Sequence, residues 1–327
     1  MLRDCRADPV AAPARSHTLT VAGATARLFD YGPPDGITCL AVHGFRGTHA
    51  GLAPLAEALA SHGYRVIVPD LPGAGGSAPL SAPHDTANYA VWLTELTSQF
   101  AQPPLLLGHS FGSVVAAAAI AEGAPVRAAA LLNPILTLPF AGPSVAATAV
   151  ARSYYSIARR LPEPLGRGLL ANEWVAALGG AFMTSTQDPA LRRWIRQEHR
   201  NQAGAFASPA VVFESFAAST STTVADYAGD VSCPTLVIGA DRDPLSLSTA
   251  CTPERSGLTQ ATFRVLPGLG HLVPYEAPAE AANIIADWER LHASGRDALH
   301  YAQTAGLPSP PAGGSHNADA HAAGVGD

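Results

Sequence analysis

Ser110, in Gly108-His109-Ser110-Phe111-Gly112, is the residue best placed for nucleophilic chemistry. It lies between an apolar run, Leu105 to Leu107, and a small-residue stretch of helical character from Ser113 to Ala121. That strand-turn-helix setting gives a G-x-S-x-G pattern its meaning. The turn must be sharp and strained, and glycines two positions away on either side avoid collisions across it. A serine hydroxyl is a weak nucleophile at neutral pH and needs a base within hydrogen-bond reach, itself oriented by a carboxylate.

Among twelve histidines, His271 is the candidate base. It ends Leu266-Pro267-Gly268-Leu269-Gly270-His271, after the last strand-like run and before the last helix, on the edge where strand ends meet ligands. A surface loop histidine is the bland alternative; His43 and His109 neighbour other loops and suit supporting hydrogen bonds. Two acids close the run Thr235 to Gly239, in Gly239-Ala240-Asp241-Arg242-Asp243-Pro244. Asp243, before a proline and a little beyond the strand end, is the preferred orienting acid. Asp241 suits a turn-forming role, or the two exchange. Asn133, not an acid, ends the preceding strand-like run. The order serine, aspartate, histidine is one of the few in which such a triad recurs.

Bringing three distant side chains together requires a sheet whose strand ends share one rim. From Thr18 onward, short β-rich runs alternate with longer helical patterns. This predicts an α/β fold with a mostly parallel, eight-stranded twisted sheet flanked by helices. Thr18 to Val21 and Ala26 to Tyr31 read as an antiparallel pair. Ile37 to Val42, Arg65 to Pro69, Leu105 to Leu107, Val126 to Leu132, Thr235 to Gly239 and Thr262 to Leu266 read as the other strands. Helices are expected over Leu52 to Ala60, Asn88 to Phe100, Ser113 to Ala121 and Ala279 to Leu291. Between Pro134 and about Asp230 the strand rhythm stops, and Val145 to Arg160, Leu169 to Leu178, Ala190 to Gln202 and Pro209 to Ala217 read as helices. An insertion of that length after the sixth strand predicts a helical lid over a pocket; helices that merely enlarge the core are the alternative.

The 327 residues and 33.6 kDa suit one large α/β domain or a domain with an insertion. With 47% hydrophobic and 14% charged residues the chain is unlike a disordered one, and no apolar run suggests a membrane span. A net charge of −6, with all 20 basic residues arginine, gives no basic surplus for nucleic acid. Cys5, Cys39, Cys233 and Cys251 lack metal-site spacing and predict reduced, mostly buried thiols. Arg3, Asp4, Arg6, Asp8 and Pro9 interrupt the first residues, which argues against a secretory signal and for a cytoplasmic protein.

Over Thr18 to Leu291 the chain resembles the α/β-hydrolase superfamily, as a serine esterase or lipase-like member with a lid. Besides the Ser110 turn, His43-Gly44-Phe45-Arg46-Gly47 is similar to the family's H-G-x oxyanion loop. Asp70-Leu71-Pro72-Gly73-Ala74-Gly75-Gly76-Ser77 is similar to its D-x-x-G-x-G-x-S turn, and Gly270-His271 with Glu276 and Pro278 to its G-H-x-x-x-x-E-x-P ending. The resemblance implies a core over 18–135 and 221–293 and a lid over 136–220, after a flexible segment over residues 1–17; the Ala-, Gly-, Pro- and Ser-rich composition beyond His292 predicts a disordered tail over 294–327. A tetrahedral intermediate needs preorganised donors for its oxyanion, and the backbone N–H groups of Phe45 and Phe111 are the expected pair.

The implied activity is hydrolysis of a carboxylic ester of a small or medium apolar substrate through an acyl-enzyme, catalysed by Ser110, Asp243 and His271 without metal or organic cofactor. Carbon-carbon bond cleavage of dienoic keto acids, thioester or lactone hydrolysis, and a receptor-like protein with little turnover are the alternatives. Aromatic residues in the insertion, including Phe140, Tyr154, Tyr155, Trp174, Phe182 and Phe206, suit an apolar wall. Arg192, Arg193, Arg196 and Arg200 read as a solvated helix, unless one turns inward to a substrate carboxylate. Neither nucleic acid nor a membrane-spanning segment is expected, and the sequence leaves the oligomeric state open.

Overall fold

Runs of buried apolar residues become the strands of one sheet. A computed structural model describes residues 15–138, 145–246 and 248–293. The strands are β1 (Arg15–Val21), β2 (Ala24–Tyr31), β3 (Ile37–Val42), β4 (Tyr64–Pro69), β5 (Leu105–His109), β6 (Ala128–Leu132), β7 (Thr235–Ala240) and β8 (Thr262–Leu266). They pair in the order β1-β2-β4-β3-β5-β6-β7-β8. β2 runs antiparallel to both β1 and β4, and all other pairs are parallel. β5, β6 and β7 are buried along their whole length, as parallel strands covered on both faces must be.

Helices supply that cover. One layer packs Trp92 and Leu93 of α2 (Thr86–Thr97) and Val114 and Val115 of α3 (Phe111–Ala121) against the sheet. The opposite layer packs Leu52, Leu55 and Leu59 of α1 (His49–Ala60) with Ile285 and Trp288 of α11 (Pro278–Ala293). Residues through Trp288 form one compact unit, and Glu289 to Ala293 are the described part of a second.

Five helices occupy the chain between β6 and β7: α4 (Val145–Arg160), α5 (Glu163–Leu170), α6 (Glu173–Met183), α7 (Pro189–Gln202) and α8 (Pro209–Ser221). Two short helices, α9 (Pro253–Ser256) and α10 (Val273–Glu276), lie later in the chain and are not foreseen by periodicity.

Several boundaries differ from expectation for local reasons. β1 opens at Arg15 rather than Thr18, because pairing with β2 runs back to Arg15↔Asp30. β5 extends to His109 because Gly108 and His109 still pair with β6. α2 starts at Thr86, where the Asp85 carboxylate accepts the Asn88 N–H and caps the helix. The single helix expected over Leu169 to Leu178 is two, since Asn172 Oδ1 accepts the N–H groups of Trp174 and Val175 and starts α6 afresh. The expectations for residues 1–14, Phe140 and residues 294–327 lie outside the described residues. Among the described residues, no helix is long and apolar enough to cross a membrane.

Candidate active site

The chain turns from β5 into α3 at Ser110, whose φ of 55° and ψ of −124° lie outside the regions ordinary residues favour. Close approach forces the flanking glycines. A Cβ on Gly108 would lie 2.5 Å from the Gly112 carbonyl, and one on Gly112 would lie 2.3 Å from the Val42 carbonyl. Ser110 N–H donates to the Leu132 carbonyl at 3.0 Å, which fixes the turn to the neighbouring strand.

The loops after β7 and β8 bring the other two side chains to this turn. His271 Nε2 lies 2.7 Å from Ser110 Oγ, and His271 Nδ1 lies 2.7 Å from Asp243 Oδ2. With Nδ1–H donating to the carboxylate, Nε2 is left to accept the serine proton. His271 is only 1% exposed and Asp243 7%. Burial by itself raises the Asp243 pKa. The His271 ring and the N–H groups of Leu245 and Ser246 outweigh that and hold the carboxyl below its ordinary value.

Other residues hold this constellation in place. Asn133, in a left-handed conformation at φ 45°, donates from Nδ2 to Asp243 Oδ2 at 3.0 Å and to the Gly270 carbonyl at 3.2 Å. His109 donates from Nε2 to the His271 carbonyl at 3.0 Å, and burial pushes its pKa down to about 3, so its ring is neutral. His43, also lowered by burial, spans the Gly44 carbonyl and the Leu71 N–H. Asp241 accepts the Gly268 N–H at 2.6 Å on an exposed turn and does not touch His271. Asp70 accepts from His49 and Gly76, which organises its own turn.

Phe111 is the first residue of α3, so its N–H has no intrahelical acceptor and carries the positive end of the helix dipole. Phe45 follows Gly44, whose backbone packs on the nucleophile: a Cβ there would lie 2.9 Å from Ser110 Cβ. The Phe111 ring is core, whereas the Phe45 ring meets Tyr155 and Phe216 of the insertion, each at 5.8 Å. A cleft lined by Gly44, Phe45, Phe111, Phe206, Val211 and others begins beside this loop.

The insertion is bonded directly to both loops. The Met183 carbonyl, at the end of α6, accepts the His271 N–H at 2.9 Å. Glu276 accepts the N–H groups of Ser185, Thr186 and Gly270 at 2.6, 3.0 and 2.9 Å. Arg46, at φ 62°, donates from Nη2 to the carbonyls of Leu170 and Ala203 at 2.7 Å each. Sequence reasoning quoted Glu276 and Arg46 only as members of motifs; their partners are distant in the chain, and no local spacing signals the contacts. Arg192, Arg193 and Arg196 are exposed, and Arg200 pairs with Glu173 at 3.1 Å.

Residues 40–278 match the family model described as the alpha/beta hydrolase fold. The chain is 24% identical over 275 residues, 81% of its length and 94% of the relative's, to an (E)-2-((N-methylformamido)methylene)succinate hydrolase of Acinetobacter baylyi. A thermophilic esterase from Thermogutta terrifontis superposes with a TM-score of 0.64 at 24% identity, covering 85% of this chain and 98% of that one. Epoxide hydrolase A from Mycobacterium thermoresistibile gives 0.61 at 18% identity, with 84% and 98% covered. At these identities the solved structures share the fold.

Proposed function

The chain belongs to the α/β-hydrolase family, and from that premise we propose a serine hydrolase that cleaves a carboxylic ester of a small or medium apolar substrate through an acyl-enzyme. The observation carrying this reading is the unbroken relay at 2.7 Å from Ser110 Oγ to His271 and from His271 to Asp243. Ser110 Oγ attacks the ester carbonyl while His271 Nε2 takes its proton. Asp243 stabilises the imidazolium that forms. The oxyanion lies between the N–H groups of Phe45 and Phe111, each such donor being worth roughly 10²–10³ in rate. The alcohol leaves with the proton held on Nε2. Water, deprotonated by the same nitrogen, then attacks the acyl-enzyme and releases the acid.

In this reading the five-helix insertion is the lid, with its Met183 to Thr186 stretch fastened to the histidine loop. The free cysteines Cys39, Cys233 and Cys251 suit a reducing compartment, so the proposed location is the cytoplasm.

A second reading, hydrolysis of a carboxylate-bearing substrate, is favoured by the succinate named for the Acinetobacter baylyi relative. The outward or paired state of the α7 arginines supports the neutral ester instead.

One experiment tests both. The wild-type chain is expected to be labelled by a fluorophosphonate probe and to hydrolyse neutral p-nitrophenyl esters, with both activities lost in Ser110→Ala. Full labelling of Ser110→Ala would remove Ser110 from its role. Turnover of substituted succinates with none of neutral esters would replace the first reading by the second.

A further inference from the structure

Among the described residues, eight of the twelve exposed large apolar residues fall on α4 to α6 or the turn between α4 and α5. On α6, Trp174, Leu178 and Phe182 are spaced four apart and therefore line one side of the helix, at 70%, 71% and 48% exposure, with Val175 beside them. The buried positions of the same helix are Ala177 and Gly180, and a Cβ on Gly180 would lie 2.7 Å from the His199 ring. α6 is thus inverted: small residues pack inward and large apolar ones face out. Folding alone rewards the opposite arrangement, and apolar surface concentrated in this way marks a contact with something outside the chain. Ile157 of α4 and Leu165 of α5 are likewise exposed.

Charge selects the partner. Residues 145–221 contain eight arginines and five acids, net +3, whereas the rest of the chain contains twelve arginines and 21 acids, net −9. The Arg200 guanidinium, itself paired with Glu173, lies 4.4 Å from the centre of the Trp174 ring at the edge of the apolar face. Arg159 and Arg160 of α4 and Arg167 of α5 are exposed. A second copy docking through the same face would set like charge against like charge. An anionic bilayer satisfies both features, taking apolar side chains into its headgroup boundary while its surface potential holds the arginines.

We propose that the outer face of α6, which carries Trp174, Leu178 and Phe182, is a docking surface for an anionic lipid bilayer. The protein attaches peripherally, inserting Trp174, Leu178 and Phe182 to headgroup depth. This is independent of the catalytic reading, and neither falls with the other.

Co-sedimentation of the full chain with vesicles tests the proposal. Binding is expected to two-to-one phosphatidylcholine–phosphatidylglycerol vesicles, to be much weaker with phosphatidylcholine alone, and to be reversed by high salt. Trp174 emission is expected to shift to the blue, and Trp174→Phe to lose that shift. The double variant Val175→Ser, Leu178→Ser is expected to lower partitioning about tenfold or more, with circular dichroism and turnover of a soluble ester unchanged. The proposal is overturned by no sedimentation with the mixed vesicles, by equal binding to neutral ones, or by unchanged partitioning of the double variant. A concentration-dependent dimer that buries Trp174 and is abolished by the double variant would assign the face to a second copy.

Discussion

The inner rim and the outer face of the helical insertion follow opposite rules. The inner rim is polar and bonded backbone to core: Met183 holds His271, Glu276 gathers three N–H groups, and Arg46 closes on two helix-end carbonyls. The outer face carries Trp174, Leu178 and Phe182, exposed at 70%, 71% and 48%. The lesson is that this insertion is joined to the reacting groups along one margin and free to meet other matter along the other. A description of it as a loose flap would miss both halves.

The most forceful attempt to break that contrast removes what the inner rim supports. Asp243→Asn is expected to lower kcat by about 10⁴, by analogy with loss of the orienting acid in other triads. Asp241→Asn, which disturbs only the Gly268 turn, is expected to cost little activity; steady-state kinetics giving the reverse ranking would move the acid role to Asp241.

Acid should loosen the same region before anything on the outer face responds. His109 has a folded pKa lowered to about 3 against an ordinary value near 6.5. Above about 6.5 it is neutral folded or unfolded and contributes no slope. Between about 6.5 and 3 the unfolded chain takes the proton, so stability falls with pH by up to about 1.4 kcal/mol per unit from this group. His43, shifted in the same direction, adds to the loss. The lowered Asp243 and Asp70 contribute stability above about pH 3.9 that disappears below it. Urea melts across this range should show a shallower slope for His109→Gln; an unchanged slope would contradict the assignment.

Next in size is Glu276→Gln, which turns one acceptor oxygen into a donor among N–H groups. Misplacing the His271 loop should reduce kcat by up to about 10²-fold with KM nearly constant. An unaltered kcat would mean that the rim does not position the imidazole.

The smallest expected effects sharpen the comparison within one helix. Gly180→Val, pressed on the His199 ring, should cost about 1–3 kcal/mol, while Leu178→Ser should stay within about 0.5 kcal/mol. Equal costs in denaturant melts would erase the inside-out character of α6.

The sequence was most legible where chemistry and backbone geometry coincide. Gly108 and Gly112 announce the Ser110 turn because only glycine fits there, and the burial of β5 to β7 leaves near-continuous apolar runs. The orienting acid was harder, since Asp241 and Asp243 differ by two positions and only the β8 loop separates their uses: one faces Gly268, the other His271. Asn133 registered merely as the lack of an acid, although its amide braces Asp243. The Asn172 cap that splits α5 from α6 is written in the sequence as an asparagine before an acidic, apolar run, but helical spacing carries across it and masks the break. Arg46 and Glu276 escaped because their partners are brought near only by the finished fold.

The bond between the Met183 carbonyl and the His271 amide carries a practical corollary for chimeras. A graft exchanging this segment with that of a homologue should retain residues 183–186 from the recipient. Splices placed inside that stretch would deliver a correctly folded scaffold whose imidazole had lost its anchorage.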